Sequence, residues 1–160
     1  MSAAQGPGAL ERRRILDEAR VVAVVGASAN PARASYFVMT YLLASTGYTV
    51  LPVNPGLEQV LGLPCYPSLD ALPERPDLVD VFRRPAELAG VAAESRAVGA
   101  PVLWLQLGLS DDEVAREGEA AGQTVVMDRC LKIEHARFHG GLHLAGFDTG
   151  VITSRRPDRP

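Results

Sequence analysis

The sequence predicts an α/β fold in which a parallel five-stranded sheet carries helices on both faces, within a single domain. Short runs rich in Val and Leu alternate with segments of helical spacing, about every 25 residues. The first run, 21–25, is apolar throughout and too short for a helix, as expected for a strand covered on both faces. A length of 160 residues with 47% hydrophobic composition is enough for one buried core.

Five apolar runs are the predicted strands. The first ends at Gly26, where the chain can turn sharply because glycine lacks a side chain. Segment 54–68 is rich in Gly and Pro and is predicted to be a loop, followed by one helical turn at 69–72. The predicted strands are 20–25, 49–53, 78–82, 101–105 and 124–127.

Helices are predicted before, between and after these strands. Gly47 is placed to end one helix, and Pro85 to begin another at a position that tolerates proline. Ser110 and Glu113 have the spacing of a capping box, which opens a helix that ends near Gly122. The predicted helices are 11–19, 35–45, 85–98, the one opened at Ser110, and 131–138.

Composition argues against a nucleic-acid-binding or membrane-spanning protein. A net charge of −3 does not favour nucleic-acid binding, and no apolar run approaches the roughly 20 residues that cross a membrane. Two widely spaced cysteines indicate free thiols in a reducing cytoplasm. We expect a flexible N-terminus at 1–9, the domain at 10–138, a C-terminal tail at 139–160, and a homodimer, the commonest symmetric assembly.

The segment from the first strand into the next helix predicts a phosphate site. Gly26, Ala27 and Ser28 join a buried strand to a helix N-terminus, where free N–H groups and the helix dipole favour an anion. Ser28 either contacts the phosphate or satisfies the backbone of the turn. The ligand is therefore predicted to be a phosphorylated small molecule.

The choice of nucleotide depends on the loops at the same edge of the sheet. An NAD site favours three glycines after the first strand and a carboxylate after the second, whereas this chain has one glycine and Asn54. The chain contains neither a Gly-Lys-Ser nor a Gly-Lys-Thr sequence, so a Walker A loop is not predicted. Arg33, Arg83 and Arg84 suit a ligand with several phosphates, which favours coenzyme A (CoA) over NAD.

Six motifs together resemble the small stand-alone CoA-binding proteins, which are similar to the nucleotide-binding domain of the succinyl-CoA synthetase alpha subunit. The resemblance covers about residues 10–138 and implies a Rossmann-like domain that binds CoA. The motifs are VVGAS at 24–28 with Pro31-x-Arg33, LPVNP at 51–55, CYPSL at 65–69, DVFR at 80–83, WLQLG at 104–108 and DRCLKIEH at 128–135.

The resemblance also implies where each part of CoA lies. The pyrophosphate is placed at Gly26, Ala27, Ser28 and Arg33, the adenine and ribose at Val53, Asn54 and Pro55, and the pantetheine arm at Phe82, Arg83 and Gln106. Ligase activity is not implied, because the synthetase also needs a phosphorylated histidine in a further domain and a partner chain.

The cysteines and histidines each have a possible functional role and an alternative structural role. Cys130 follows the last predicted strand and is a candidate for a mixed disulfide with the CoA thiol, although burial as a small apolar residue is the favoured alternative. Cys65 has the same two interpretations. His135, His139 and His143 recur at helical spacing, but the glycines at 140 and 141 interrupt the helix and we predict no metal site.

Acidic and aromatic residues in the strands are predicted to be structural. Asp77 and Asp80 are expected to pair with a nearby Arg rather than act as general bases, and Trp104 is expected in the core. No nucleophile–base pair is evident.

We therefore predict non-catalytic binding of CoA or an acyl-CoA, for sensing, storage or regulation. An NAD(P)-binding oxidoreductase or redox sensor, and a regulatory subunit of an acyl-CoA ligase, stay as alternatives.

Overall fold

A computed structural model describes residues 6–139 of the chain, and its main feature is a parallel sheet of five strands. In chain order the strands are β1 (Val21–Val25), β2 (Thr49–Val53), β3 (Gln59–Val60), β4 (Leu63–Pro64), β5 (Leu78–Val81), β6 (Val102–Leu105) and β7 (Thr124–Val126). The main sheet has the order β2-β1-β5-β6-β7, and β3 and β4 form a separate antiparallel hairpin. The predicted fold class is confirmed.

Five helices cover the two faces of the sheet. They are α1 (Ala9–Glu18), α2 (Ala34–Ser45), α3 (Leu88–Ala97), α4 (Asp112–Ala120) and α5 (Leu131–His139), with short 3-10 turns at Leu69–Ala71 and Pro85–Glu87. Strand residues alternate between two apolar clusters, one shared with α1, α2 and α5 and the other with α3 and α4. Each described helix is too short or too polar to cross a lipid bilayer.

The predicted loop at 54–68 contains the β3–β4 hairpin, so that expectation was wrong. Leu61 and Gly62 both have positive φ angles, 52° and 77°, which is the pattern of a tight two-residue hairpin turn. A turn of this type usually has Asn, Asp or Gly at its first position, so Leu61 gives no sequence signal for it. The same segment also pairs with the sheet edge, where Val53 and Tyr66 form a parallel bridge.

The predicted cap of α4 was wrong. The cap is Asp111 rather than Ser110, since its carboxylate accepts from the N–H groups of Glu113 and Val114 at 3.0 and 3.1 Å. Helix α2 ends at Ser45, as predicted, although it does not use Gly47 in a left-handed conformation. Its last carbonyl groups are satisfied at Thr46, whose N–H donates to the Leu42 carbonyl oxygen at 3.1 Å.

Candidate functional site

A cleft of about 850 Å³ lies at the carboxyl edge of the main sheet, on the side of α2 and α5. It opens between β1 and β5, where the strand order reverses and α/β folds bind their ligands. Nine of the predicted site residues line it: Gly26, Ala27, Ser28, Arg33, Asn54, Phe82, Arg83, Arg84 and Gln106.

Gly26 determines how closely the β1–α2 loop approaches β5. Its φ is +88°, and a Cβ built on it would lie 2.8 Å from the carbonyl carbon of Phe82 and closer still to the carbonyl oxygen. Only glycine satisfies both the backbone conformation and the contact. The turn over the sheet edge therefore depends on this residue.

The N–H groups left free in the β1–α2 loop differ from the sequence expectation. The N–H groups of Gly26 and Ala27 both donate to the carbonyl oxygen of Val53, at 3.0 and 3.3 Å, and so they are already used. Those of Ser28 and Ala29 make no hydrogen bond within residues 6–139. The available anion donors therefore begin two residues after the glycine.

Ser28 satisfies the turn and lines the cleft at the same time. Its Oγ accepts from the N–H of Asn30 at 3.0 Å, which leaves the hydroxyl hydrogen free to donate to a ligand oxygen. Asn30 in turn accepts from the N–H of Ala32 at 3.0 Å. Both interpretations of Ser28 are therefore compatible with the geometry.

Asn54 holds the loop in place instead of offering a free amide. Its Nδ2 donates to the carbonyl oxygen of Ala27 at 2.7 Å, and its Oδ1 accepts from the N–H of Gly56 at 2.8 Å. The side chain thus connects the end of β2 to the β1–α2 loop.

Val53 and Pro55 lie outside the main cleft. They line a smaller cleft of about 370 Å³ on the α3 side, which Arg83 shares. The side chain of Val53 is buried in the apolar cluster of that face, because strand residues alternate between faces. The structure therefore does not bring these two predicted residues together with the other nine.

The charge of the cleft is positive. Arg33, Arg83, Arg84 and Lys132 line it, and no acidic residue is among the described residues that do so. Arg84 pairs with Glu87 at 3.7 Å, whereas the other three make no ion pair within the described range. Three unpaired cations at one edge favour a multiply charged anion.

Half of the lining lies outside the predicted CoA-binding residues, although Cys130 was already a candidate for a mixed disulfide with CoA. These residues come from α2, the segment after β6 and the start of α5: Ala34, Ser35, Phe37, Val38, Leu107, Leu109, Cys130, Lys132 and Ile133. Phe37 and Leu107 are 59% and 64% exposed, which is unusual for such large apolar groups. The DRCLKIEH motif was a signal for Cys130 and Lys132, whereas nothing in the sequence singled out Phe37.

Gln106 offers a buried polar group to the cleft. Its residue is 6% exposed, and its Oε1 accepts from the N–H of Leu131 at 3.2 Å. Its Nε2 has no partner within residues 6–139. The amide therefore anchors the start of α5 and has donors left for a ligand.

The other candidates lie away from the cleft. Trp104 is fully buried, as predicted, and its Nε1 donates to the carbonyl oxygen of Arg129 at 2.8 Å. Asp77 lies at the opposite edge, where its Oδ2 accepts from the N–H groups of Arg20 and Val21 at 2.9 Å each. Arg75 is 3.9 Å from its other oxygen, in agreement with the expected pairing.

Asp80 contradicts the expected pairing with Arg. It is 0% exposed, and neither carboxylate oxygen has a partner among the described residues. Burial raises the pKa of this carboxyl well above its usual range. Strand alternation places it on the α2 and α5 face, behind Phe82.

The histidines form a contact between helices outside the cleft. His135 Nδ1 lies 2.9 Å from the hydroxyl of Tyr41, and its ring stacks on His139 at 4.6 Å. Burial and the neighbouring His139 lower the pKa of His135. Within residues 6–139 no group of three potential metal ligands occurs, and His143 lies outside that range with the rest of the predicted tail after His139, which is the last residue of α5.

Comparison with known proteins identifies the family. Residues 20–136 match the family described as "CoA binding domain". The chain belongs to the CoA binding domain family. The predicted resemblance is confirmed over most of the length.

Relatives of this CoA binding domain include proteins of its own size. Uncharacterized protein YneT of Bacillus subtilis (strain 168) is 39% identical over 132 residues, which are 82% of this chain and 97% of that protein. A hypothetical protein from Pyrococcus horikoshii OT3 superposes with a TM-score of 0.80 at 38% identity, covering 84% of this chain and 94% of the other. Both proteins match more than four-fifths of this chain and nearly all of their own length.

A larger relative contains the domain as one part. Acetate–CoA ligase [ADP-forming] I of Archaeoglobus fulgidus is 34% identical over 123 residues, which are 70% of this chain and 18% of the ligase. The CoA binding domain is thus also found within an acyl-CoA-forming enzyme.

Proposed function

We propose that this protein binds CoA or an acyl-CoA in the cleft at the carboxyl edge of the sheet and catalyses no reaction by itself. The observation that carries the proposal is the charge of the lining, where every charged group of the described residues is basic. CoA has a pyrophosphate and a separate 3′-phosphate, so it needs several cations. Family membership supports the same ligand.

The phosphate end of the ligand would lie at the β1–α2 loop. The N–H groups of Ser28 and Ala29, the Ser28 hydroxyl and the Arg33 guanidinium are donors on this side. Ser35 is 3% exposed, lines the same end and has no hydroxyl partner within the described residues. These groups would replace the water that hydrates a pyrophosphate.

The pantetheine arm would cross the apolar part of the cleft. Phe82 and Ile133 line this part, and the exposed rings and methyl groups of Phe37 and Leu107 stand at its margin. Methylene and methyl groups of the arm would cover this surface, which stabilises binding by about 25 cal/mol for each Å² of apolar area removed from water.

The lining supports binding rather than catalysis. Among the described residues of the cleft there is no carboxylate or imidazole to act as a general base beside Ser28, Ser35 or Cys130. We infer that the biological role is sensing, storage or regulation. A cytoplasmic location and a homodimer stay predictions.

The NAD(P) alternative has little support in the geometry. The end of β2 carries Asn54 in place of a carboxylate, and both ends of its amide are already hydrogen-bonded. The regulatory alternative has one observation in its favour, the similarity to part of an acetate–CoA ligase. It predicts that a larger acyl-CoA ligase subunit co-purifies with this chain.

Isothermal titration calorimetry with CoA, acetyl-CoA, dephospho-CoA, NAD and NADP tests the proposed ligand. We expect micromolar or tighter binding of CoA, weaker by about tenfold without the 3′-phosphate, which corresponds to about 1.4 kcal/mol. Equal or tighter binding of NAD or NADP would contradict the proposal.

Charge-removing variants test the placement of the phosphates. Arg33→Ala and Lys132→Ala should each weaken CoA about five- to tenfold at low ionic strength, because each removes an unpaired cation from the cleft. Arg116→Ala is the matched control, since Arg116 is exposed on α4 and outside the cleft. Equal affinities in all three variants would refute the placement even if CoA binds.

A further inference from the structure

Cys130 is held in a defined position at the end of the cleft. The N–H before it, on Arg129, donates to the carbonyl oxygen of Leu105 at 3.3 Å, and the N–H after it, on Leu131, donates to Oε1 of Gln106 at 3.2 Å. Both hydrogen bonds attach the residue to the carboxyl end of β6. The half-exposed thiol-bearing residue therefore lines the cleft at a fixed place.

A second observation marks the same place as a ligand site. Gln106 is more than nine-tenths buried and lines the cleft, yet its Nε2 has no partner within residues 6–139. This nitrogen is not among the fully enclosed atoms of the described residues, so it is open to the cleft, where a ligand carbonyl group would accept a hydrogen bond from it. Amide carbonyls and the thiol occur together at the end of the pantetheine arm.

The layout of the sheet sets the distance between the two ends of the cleft. The phosphate donors follow β1, whereas Cys130 and Gln106 lie at β6, with β5 between them. Two strand spacings correspond to roughly 10 Å. A CoA molecule with its pyrophosphate at the β1–α2 loop and its arm across Phe82 would carry its thiol towards Cys130.

We propose that Cys130 forms a reversible mixed disulfide with CoA, by exchange with CoA disulfide bound in the cleft. The Cys130 thiol loses its proton, its sulfur forms a bond to one sulfur of the CoA disulfide, and the bond between the two CoA sulfurs breaks. The second CoA leaves with that electron pair as a thiolate, which takes up a proton. The incoming disulfide supplies the oxidising equivalents, and the step rests on the proposed CoA site.

Cys65 provides a comparison within the same chain. It is 9% exposed, does not line the cleft, and its Sγ lies 3.7 Å from the carbonyl oxygen of Asn54. Burial raises the pKa of the Cys65 thiol, which lowers the fraction of reactive thiolate. Modification should therefore be confined to Cys130.

The test uses the reduced wild-type protein with CoA disulfide or glutathione disulfide at equal concentrations, followed by intact mass spectrometry. We expect one reductant-reversible CoA adduct per chain, formed at least about tenfold faster than the glutathione adduct because the nucleotide positions the disulfide. Desulfo-CoA, which lacks the thiol, should slow the CoA reaction by competition. Peptide mapping should place the adduct on Cys130, and Cys130→Ser should abolish it while Cys65→Ser retains it.

Calorimetry of the same reduced wild-type protein separates the two proposals. Three results would overturn the mixed disulfide and leave the CoA site intact. They are calorimetric binding of CoA with no adduct from CoA disulfide, an adduct mapped to Cys65, and equal rates of adduct formation with the two disulfides. Absence of both binding and adduct would overturn the proposed function as well.

Discussion

Replacement of Gly26 by Ala tests how the β1–α2 loop is built. The new Cβ would lie 2.8 Å from the carbonyl carbon of Phe82, and it would occupy a residue whose φ is +88°. The neighbouring atoms are backbone at the end of β5, in the middle of the sheet, and cannot move aside as a flexible side chain can. The loop itself must therefore shift.

The expected cost has two parts. A left-handed backbone costs a residue other than glycine about 1–2 kcal/mol. Displacement of packed atoms costs about 1–3 kcal/mol more. The free energy of unfolding of Gly26→Ala should thus fall by about 2–5 kcal/mol, and its CoA affinity should fall with it, because the donors of Ser28 and Ala29 move with the loop.

Gly122→Ala is the matched control. Gly122 has a φ of +82°, but its Cβ would meet no atom of the described residues within 4 Å, and it lies outside the cleft. Urea and thermal unfolding of both variants should show Gly26→Ala less stable than the control by about 1–3 kcal/mol, or roughly 2–12 °C in Tm. Equal stabilities, or unchanged CoA affinity in Gly26→Ala, would refute the role assigned to the close approach.

Three further substitutions have expected outcomes. Asp80→Asn should raise the free energy of unfolding at pH 7 by about 1–3 kcal/mol. The folded state keeps a proton that the unfolded state loses above its pKa of about 3.9, so wild-type stability falls as pH rises from that value towards the higher pKa of the folded state, and urea unfolding against pH should show a flatter profile for Asp80→Asn. Arg12→Ala removes the buried partner of Glu134 at 3.5 Å, but Arg129 still pairs with the same carboxylate at 3.2 Å, so the cost in chemical denaturation should be about 1–3 kcal/mol, whereas Arg14→Ala, in exposed pairs, should change nothing measurable. Asn54→Ala removes two hydrogen bonds that hold the β1–α2 loop and should weaken CoA about three- to tenfold by calorimetry, with only a small change in Tm.

Each of these has a contrary result. If Asp80→Asn is less stable than wild type at pH 7, the Asp80 carboxylate is solvated or paired in the folded protein. An Arg12 variant as stable as the Arg14 variant would show that the buried pair contributes nothing. Full CoA affinity after Asn54→Ala would show that the loop holds its shape without the amide.

The five strands of the sheet could be predicted because each is short, mainly apolar and bounded by residues typical of turns and loops. Val21–Val25 is the clearest example, since a run of five small residues before Gly26 fits a strand buried on both faces and little else. The hairpin at Gln59–Pro64 could not be predicted, because its strands have two residues each and Leu61 occupies a position that usually signals a turn with Asn or Gly.

The site was predictable where a residue lies close in sequence to the end of a strand. Ser28, Arg83 and Gln106 follow β1, β5 and β6 within a few residues and do line the cleft. Val53 ends β2 and Pro55 follows it as closely, yet both line the smaller cleft on the other side of the sheet. The pattern of residues along one strand does not show towards which face a loop turns.

The order of local residues by itself determined the fold class and the family, because backbone conformation and apolar periodicity act between neighbours in the chain. Only the tertiary structure decided which groups stay free to bind. The N–H groups of Gly26 and Ala27 and the amide of Asn54 are used within the protein, while Ser35 and the amide nitrogen of Gln106 are left facing the cleft. The physical reason is that each donor is used by whichever acceptor packing brings within 3 Å or so, and such partners come from strands and loops distant in sequence.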